Sequence, residues 1–273
     1  MVIVAQALRD ASARLSSISD TSRLDAELLI AHALGVPRQD LLLRHLDAPV
    51  PPAFDALLAR RLAHEPIAYI TGRRAFWAIE LEVGPGVLVP RPDSETLIEA
   101  AVEHLRDAPP ARILDLGTGP GTLLLAALPE WPSAKGLGID RSAVALDYAR
   151  RNAHRLGLAD RAAFQPGDWG EELEGCFDLI LCNPPYVETG AELPRDVADH
   201  EPAEALFAGP DGLDDYRRLA PQIARLLARD GLACVEIGAG QQAPVTAIFA
   251  TAGVRVAARC DLAGIARCLV VSH

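Results

Sequence analysis

The sequence predicts an α/β fold in which a mostly parallel, seven-stranded sheet follows a small helical bundle. From about residue 111, apolar strand-like runs alternate with helical stretches, which indicates right-handed βαβ units with helices on both faces of the sheet. The runs are ARILDLG, KGLGID, RAAFQPG, FDLILCN, GLACVEIG, GVRVAARC and ARCLVVSH. The last two lie too close together for a crossover helix, so we expect them to form an antiparallel C-terminal hairpin.

The first 72 residues have only helical periodicity, and we expect them to form a separate helical domain. One helix should start at the cap candidates Asp20 to Ser22 and stop at Gly35. A short helix should follow Pro37, and a third, after Val-Pro-Pro, must end before Pro66.

Between residues 73 and 90 the pattern alternates, which predicts a β-hairpin linker. We expect the turn at Gly84 to Gly86, with one strand before it and the other at Val87 to Val89. A helix capped by Asp93 or Ser94 would then open a catalytic domain over residues 91–273.

Composition restricts the classes of function. The net charge of −11 argues against a broad phosphate-binding surface, although it leaves room for a local basic patch. The sequence has no apolar run long enough for a membrane span and no signal-peptide pattern, so we expect a cytoplasmic protein with no membrane association. Five scattered cysteines lack metal-ligand spacing, and we expect no metal. We also expect a monomer.

A glycine-rich turn follows the first strand of the sheet. Gly117, Gly119 and Gly121 allow a tight turn and close approach of a ligand at a helix N-terminus. Asp140 ends the second strand, where an acid accepts hydrogen bonds from ribose hydroxyls. The spacing predicts a nucleoside cofactor but does not decide between NAD and S-adenosylmethionine.

Two features favour S-adenosylmethionine. Asp115 precedes the glycines, where it would repel a pyrophosphate but attract an ammonium group. Asp168 and Trp169 end the third strand and offer an acceptor for an adenine amino group beside an apolar ring, although Trp169 could instead fill the core.

The fourth strand ends in Asn183-Pro184-Pro185-Tyr186, at the edge of a parallel sheet where ligands bind. The Asn183 side-chain oxygen and the Pro184 main-chain oxygen could hold both hydrogens of an NH₂ group and aim its nitrogen at an electrophile. Tyr186 would pack on the planar group that carries this nitrogen. The alternative is a rigid loop that only ends the strand.

These two motifs resemble those of class I S-adenosylmethionine methyltransferases that modify planar nitrogens. Four further segments are similar to the bacterial release-factor glutamine methyltransferases, and the similarity runs through nearly the whole chain. They are LDAELLIAHALG at 24–35, EPIAYITGRRAFW at 65–77, VLVPRPDSETLIE at 87–99 and HEPAEALFAGPDGLDDYRRL at 200–219.

The resemblance implies a class I methyltransferase fold and methylation of the glutamine amide in the Gly-Gly-Gln loop of class 1 peptide chain release factors. S-adenosylmethionine would be the donor, S-adenosylhomocysteine the product, and the helical domain would help to dock the release factor. The implied cofactor contacts are Gly117, Thr118, Gly119, Pro120, Gly121, Asp140, Asp168, Trp169 and Asn183. The implied substrate contacts are Asn183, Pro184, Pro185 and Tyr186, with Asn183, Pro184 and Tyr186 catalytic.

Several alternatives remain open at this point. The same Asn-Pro-Pro-Tyr geometry suits an adenine-N6 methyltransferase acting on DNA or RNA, although such an enzyme usually needs a basic track. An NAD-linked oxidoreductase or a nucleotide-sensing module would share the glycine loop. The segment VPRPD could be a cofactor wall or only a strap, and the acidic loop around Glu201 and Asp211 could be a substrate-facing lid or a solvated loop.

Overall fold

The structure, a computed structural model, describes residues 2–273 and divides into two compact units. The first unit comprises the chain up to Arg73 together with Leu193–Glu201, and the second comprises Arg74–Glu192 and Pro202–His273. The domain boundaries expected from the sequence, 1–72, 73–90 and 91–273, remain a prediction.

The first unit is helical, and glycine and proline residues mark the ends of its helices as the sequence predicts. Gly35 ends the second helix in the left-handed conformation, with φ of 68°, and Pro37 precedes the third. Aliphatic side chains and the Phe54 ring form one buried cluster around Leu29 and Ile30 in this unit. The helices are α1 (Val4–Leu15), α2 (Ser22–Leu34), α3 (Arg38–Arg44), α4 (Phe54–Leu62), α5 (Ile67–Thr71) and α9 (Arg195–Ala198).

A buried ion pair lies within this unit. Nε of Arg61 donates to Oδ2 of Asp25 over 2.9 Å, and both side chains are almost fully buried. Nη1 of Arg61 also lies 3.5 Å from Oδ2 of Asp196, in the segment that returns to the unit late in the chain. Arg61 therefore connects helices α2, α4 and α9.

The second unit contains the seven-stranded sheet that the sequence predicts. The spatial order is β5-β4-β3-β6-β7-β9-β8, with β3 to β7 parallel and β9 antiparallel to both of its neighbours. The strands are β3 (Arg112–Leu116), β4 (Lys135–Asp140), β5 (Ala162–Pro166), β6 (Phe177–Cys182), β7 (Leu227–Glu236), β8 (Arg255–Cys260) and β9 (Ala266–Ser272). The helices are α6 (Glu95–His104), α7 (Thr122–Ala127), α8 (Ala143–Arg155), α10 (Asp214–Leu226) and α11 (Gln242–Thr251).

The strand order reverses between β3 and β6. Strands β4 and β5 extend the sheet from β3 in one direction, whereas β6 and β7 extend it in the other. In open α/β sheets, ligands bind at such a switch point, outside the carboxyl ends of the strands. The glycine turn after β3 and the Asn-Pro-Pro-Tyr segment after β6 therefore meet at the same edge.

The predicted position of the linker hairpin is wrong. Its strands are β1 (Arg73–Phe76) and β2 (Ile79–Glu82), so the turn falls at Trp77 and Ala78 rather than at Gly84 to Gly86. Trp77 has a φ of 52°, and its main-chain N–H donates to Glu95, which holds this turn in place. The Val87 to Val89 segment forms no strand.

Candidate active site

One cavity lies at the switch point and contains most of the residues that the sequence singles out. It has about 1030 Å³ of empty space, the open solvent at its mouth included. The site residues predicted from the sequence that line this cavity are Gly117, Thr118, Gly119, Pro120, Asp140, Asp168, Trp169, Asn183 and Pro185. Gly121, Pro184 and Tyr186 do not line this cavity.

The three glycines of the loop have different roles. All have positive φ, which favours glycine, but a Cβ at Gly117 would lie 2.8 Å from the ring of Trp169. A Cβ at Gly119 would meet open space, so this glycine faces the cavity. A Cβ at Gly121 would lie 2.7 Å from Leu125, and this third glycine therefore serves the packing of helix α7.

Asp115 is a buried carboxyl group beside the glycine loop. Its Oδ2 accepts hydrogen bonds from the Thr118 hydroxyl at 2.6 Å and from the Leu124 N–H at 3.2 Å. Its Oδ1 has no hydrogen-bond partner within residues 2–273, and burial raises its pKa to about 7. Asp115 lines the cavity, where a cationic ligand would stabilise its charged form.

Asp140 joins the glycine loop to the start of helix α8. Its Oδ2 accepts the Gly119 N–H and its Oδ1 accepts the Ser142 N–H, each at 2.8 Å. Burial raises the pKa of Asp140, and these two main-chain donors oppose the rise. Each carboxylate oxygen keeps a second acceptor position for a hydroxyl group in the cavity.

Trp169 and Asp168 differ in their surroundings. Trp169 has a φ of 56°, a conformation that is uncommon for a bulky residue, and its ring covers Gly117. Its Nε1 donates to Oδ1 of Asp215 on helix α10. Asp215 also lines the cavity, although the sequence does not predict it as a site residue. The exposed carboxylate of Asp168 pairs with Arg218 at 2.6 Å, so its expected contact with an adenine amino group stays a prediction.

Asn183 lies just past the end of β6 and is oriented by a residue from before helix α6. Its Nδ2 donates to Oγ of Ser94 over 3.1 Å. This bond occupies the nitrogen end of the amide and leaves the oxygen end for the cavity that Asn183 lines. Ser94, one of the two cap candidates, makes no side-chain cap bond to α6; its hydroxyl oxygen accepts from Asn183.

Pro184 and Tyr186 of the motif are placed by the end of β6 and by hydrogen bonds outside the cavity. Pro184 lies two residues after Cys182, the last paired residue of β6, so its main-chain oxygen belongs to no sheet ladder. The Tyr186 hydroxyl donates to Oε1 of Glu236 over 3.4 Å, and the Tyr186 carbonyl accepts from Gln241 at 2.9 Å. Tyr186 is therefore held at its hydroxyl and at its main chain.

Two family models match the chain. They are the PrmC N-terminal domain, over residues 6–72, and a methyltransferase domain, over residues 108–246. Among curated proteins, the release factor glutamine methyltransferase of Rhodospirillum rubrum is 45% identical over 91% of this chain and 78% of its own length. That of Caulobacter vibrioides is 44% identical over 86% of this chain and 83% of its own length.

The chain belongs to the release factor glutamine methyltransferase family. It is a methyltransferase of the S-adenosylmethionine-dependent class. The site residues of this methyltransferase fit that cofactor: the unpartnered Oδ1 of Asp115 suits an ammonium group, and the open side of Gly119 admits a ligand against the main chain.

Solved structures support the fold of the methyltransferase. A methyltransferase from Pyrococcus furiosus superposes with a TM-score of 0.54 at 18% identity, covering 78% of this chain and 95% of that chain. The hMettl16 catalytic domain in complex with MAT2A 3'UTR hairpin 6 superposes with a TM-score of 0.56 at 16% identity, covering 79% and 81%. At these identities the likeness establishes the class I methyltransferase fold alone.

Two features of the methyltransferase site carry weak or no sequence signals. Pro90 and Arg91 of the VPRPD segment line the cavity. This favours the interpretation of the segment as a wall of the cofactor site over its interpretation as a strap. Buried Asn152 of α8 donates to the Pro120 carbonyl at 3.0 Å and to the Glu82 carbonyl at 2.9 Å, so it supports the glycine loop. An asparagine in a helix gives no sign of such long-range bonds.

Within residues 2–273, no helix of the methyltransferase is long and apolar enough to cross a membrane. The same residues hold no cluster of three or more histidine, cysteine, aspartate or glutamate side chains that could bind a metal ion.

Proposed function

We propose that this protein transfers a methyl group from S-adenosylmethionine to the side-chain amide nitrogen of the glutamine in the Gly-Gly-Gln motif of class 1 peptide chain release factors. The relatives that cover most of the chain are named for release factor glutamine methylation. The observation that carries the chemistry is the Asn183 amide, whose nitrogen is held by Ser94 and whose oxygen is left for the cavity.

We propose that the cofactor is held by the loops that follow β3, β4 and β5. Asp115 would accept the ammonium group, Asp140 the ribose hydroxyls, and Trp169 would pack against the adenine. When bound, the cofactor supplies a methyl group on a cationic sulfur, which leaves as a neutral thioether. The chain therefore needs no acid or base to activate the donor, and the nitrogen that gains the methyl group loses one proton to solvent.

The Asn-Pro-Pro-Tyr segment would position the acceptor. An amide nitrogen is a poor nucleophile because its lone pair is delocalised into the carbonyl group. The Asn183 Oδ1 and the Pro184 main-chain oxygen would accept both N–H groups of the glutamine amide, and these bonds strengthen as positive charge develops on the nitrogen. Tyr186 would pack on the plane of the amide.

We further infer a cytoplasmic monomer that acts on a protein rather than on nucleic acid. The acidic net charge of −11 supports this, because an adenine-N6 methyltransferase would need cationic side chains along a phosphate backbone. Light scattering coupled to size exclusion tests the oligomeric state, and a dimer would contradict it.

The experiment that tests the function is methyl transfer from labelled cofactor to purified release factor and, in parallel, to single- and double-stranded nucleic acid. We expect label on the release factor alone, with mass spectrometry placing the added methyl on the Gly-Gly-Gln glutamine. A release factor whose motif carries Gly-Gly-Asn is the matched control and should stay unlabelled. Label only on nucleic acid would reject the proposal in favour of adenine methylation.

A further inference from the structure

An aspartate of helix α10 lies at one end of the Trp169 ring. Oδ1 of Asp215 accepts the indole Nε1–H over 3.2 Å, and Asp215 lines the same cavity as Trp169. The Asp215 side chain is only 17% exposed. A carboxylate can accept about four hydrogen bonds, and the indole supplies one of them. Asp215 is therefore a largely buried acceptor at the cavity that the indole does not saturate.

Asp168, the acceptor that the sequence suggests for an adenine amino group, has a different environment. Its side chain is 51% exposed, and its Oδ2 accepts from Nη2 of Arg218 at 2.6 Å. The same nitrogen of Arg218 donates to Oε1 of Glu171 at 2.9 Å, so these three side chains form an ion-pair network at the surface. Nη1 of Arg218 lies 3.9 Å from Oδ1 of Asp215, which is too far for a hydrogen bond. Of the two aspartates, Asp215 is the less exposed and the less occupied by a cation.

The Trp169 ring extends from the glycine loop to Asp215. Cζ3, at the benzene end of the indole, lies 2.8 Å from the position of a Cβ at Gly117. Nε1, at the pyrrole end, contacts Asp215. Asp140, the proposed acceptor for the ribose, binds the Gly119 N–H and so lies at the glycine end of this ring. In adenosine the amino group is on the six-membered ring, on the far side of the base from the ribose. A base that packs on Trp169 with its ribose at Asp140 would therefore direct its amino group toward Asp215.

We propose that Asp215, rather than Asp168, accepts a hydrogen bond from the adenine amino group and is a specificity-determining residue for the base of the cofactor. This inference rests on the proposed packing of Trp169 against the adenine. A carboxylate accepts hydrogen bonds but cannot donate them, so it favours an amino group over a carbonyl oxygen at the same place on the base. One carboxyl group thus orients the indole and selects the base that packs on it.

The test compares the binding of two ligands by calorimetry. They are S-adenosylhomocysteine and S-inosylhomocysteine, in which a carbonyl oxygen replaces the adenine amino group. We expect the wild type to prefer the first ligand by roughly 10-fold or more, the effect of one hydrogen bond to a charged group. A wild type without this preference would overturn the proposal.

Asp215→Asn is the decisive variant. Its carboxamide oxygen can still accept from the Trp169 indole, whereas its NH₂ group can donate to the carbonyl oxygen of the inosine base. We expect the preference for S-adenosylhomocysteine to fall roughly 10-fold or more. If Asp215 only held Trp169 in place, the variant would weaken both ligands by the same factor, and an unchanged preference would overturn the proposal.

Two further variants on helix α10 support the comparison. Asp215→Ala removes the acceptor without adding a donor, and it should weaken the binding of S-adenosylhomocysteine more than that of S-inosylhomocysteine. Asp214→Asn is the matched control, because this neighbouring acid is 54% exposed, pairs with Arg217 at 2.8 Å and does not line the cavity. Its preference should equal that of the wild type.

Asp168→Asn decides between the two aspartates. We expect it to reduce the preference for S-adenosylhomocysteine less than Asp215→Asn does. A preference that is lost in Asp168→Asn and kept in Asp215→Asn would overturn the proposal in favour of Asp168. None of these measurements needs a methyl acceptor, so labelling of nucleic acid would reject the proposed function and leave the preference for the cofactor base unchanged.

Discussion

The ring of Trp169 covers the bare Cα of Gly117, so that a Cβ added at Gly117 would lie 2.8 Å from Cζ3 of the ring. Both residues line the cavity. Two features require glycine at position 117: its positive φ, and the Trp169 ring, which occupies the space that a Cβ atom would need.

Gly117→Ala should therefore weaken cofactor binding and destabilise the protein by more than backbone strain alone. Gly157 is a matched control, because its φ of 70° nearly equals the 71° of Gly117, while a Cβ there meets nothing within 4 Å. We expect Gly157→Ala to cost about 1 kcal/mol and Gly117→Ala about 1–3 kcal/mol more. Urea unfolding and calorimetry with S-adenosylhomocysteine measure both effects; equal costs would contradict the clash.

Asn183→Ala should separate catalysis from cofactor binding. The variant loses an oriented acceptor for the substrate nitrogen, so we expect transfer to fall by roughly 10²-fold or more. The affinity for S-adenosylhomocysteine should stay near the wild-type value, because Asp115, Asp140 and Trp169 are untouched. Single-turnover transfer and calorimetry give the two quantities, and undiminished transfer would remove Asn183 from the proposed mechanism.

Asp140→Ala should have the opposite effect, on cofactor binding. It removes the expected acceptor for the ribose and also frees the Gly119 and Ser142 N–H groups that Asp140 holds. Hydrogen bonds to charged groups contribute about 1.5–3 kcal/mol, so we expect the dissociation constant of S-adenosylhomocysteine to rise roughly 10- to 100-fold. Asp160→Ala, at an exposed aspartate, is the control; equal affinities for both variants would refute the assignment.

The overall fold follows from the sequence because its determinants are local. The alternation of apolar runs and helices predicts the seven strands of the sheet, and the short distance between β8 and β9 predicts their antiparallel pairing. The predicted position of the linker turn is wrong. Gly84 to Gly86 contain the residues that usually form turns, whereas tryptophan at position 77 is not one of them. The Trp77 main-chain N–H donates to Glu95, 18 positions later, and a contact at that separation gives no local turn signal.

The contacts that support the site could not be predicted from the sequence, because they join residues that are far apart in the chain. The sequence indicates Asn183, but its partner Ser94 lies 89 positions earlier and reads as a helix cap. Asp215 lies 46 positions after Trp169, in an ordinary helix start. Such pairs are decided by which strands become neighbours in the sheet, and one sequence alone does not give that order.

The buried carboxyl groups should make the stability of the protein depend on pH. Burial raises the pKa of Glu236 from 4.5 to about 7 and that of Asp115 from 3.8 to about 7. A raised carboxyl pKa means that the neutral form is favoured in the folded state. Its contribution to stability is therefore complete below the unfolded pKa and is lost as the pH rises through about 7.

Glu236→Gln cannot ionise, so its stability relative to the wild type should increase between pH 5 and pH 8. The gain is at most roughly 2–3 kcal/mol from a shift of this size. Urea unfolding at several pH values measures it, with Glu188→Gln, at an exposed glutamate, as the control. Parallel profiles for Glu236→Gln and the wild type would show that Glu236 does not titrate in this range.

In the first unit, Arg61→Ala should be strongly destabilising. It leaves the carboxylate of Asp25 buried without its partner, which costs about 3–5 kcal/mol in comparable pairs. Arg60 is the control, because it also forms an ion pair, with Glu65, but its side chain is 44% exposed. Arg60→Ala should cost less than about 1 kcal/mol. Thermal unfolding compares the two, and similar costs would argue against a role for burial.

The return of Leu193–Glu201 to the first unit affects the order in which the protein is made. The amino-terminal helices leave the ribosome early, yet Asp196, the second partner of Arg61, is translated only after β1 to β6. The helical unit is thus completed late in synthesis. A fragment that stops after α5 lacks this piece, and a chimera that exchanges the helices between relatives should carry residues 193–201 with them.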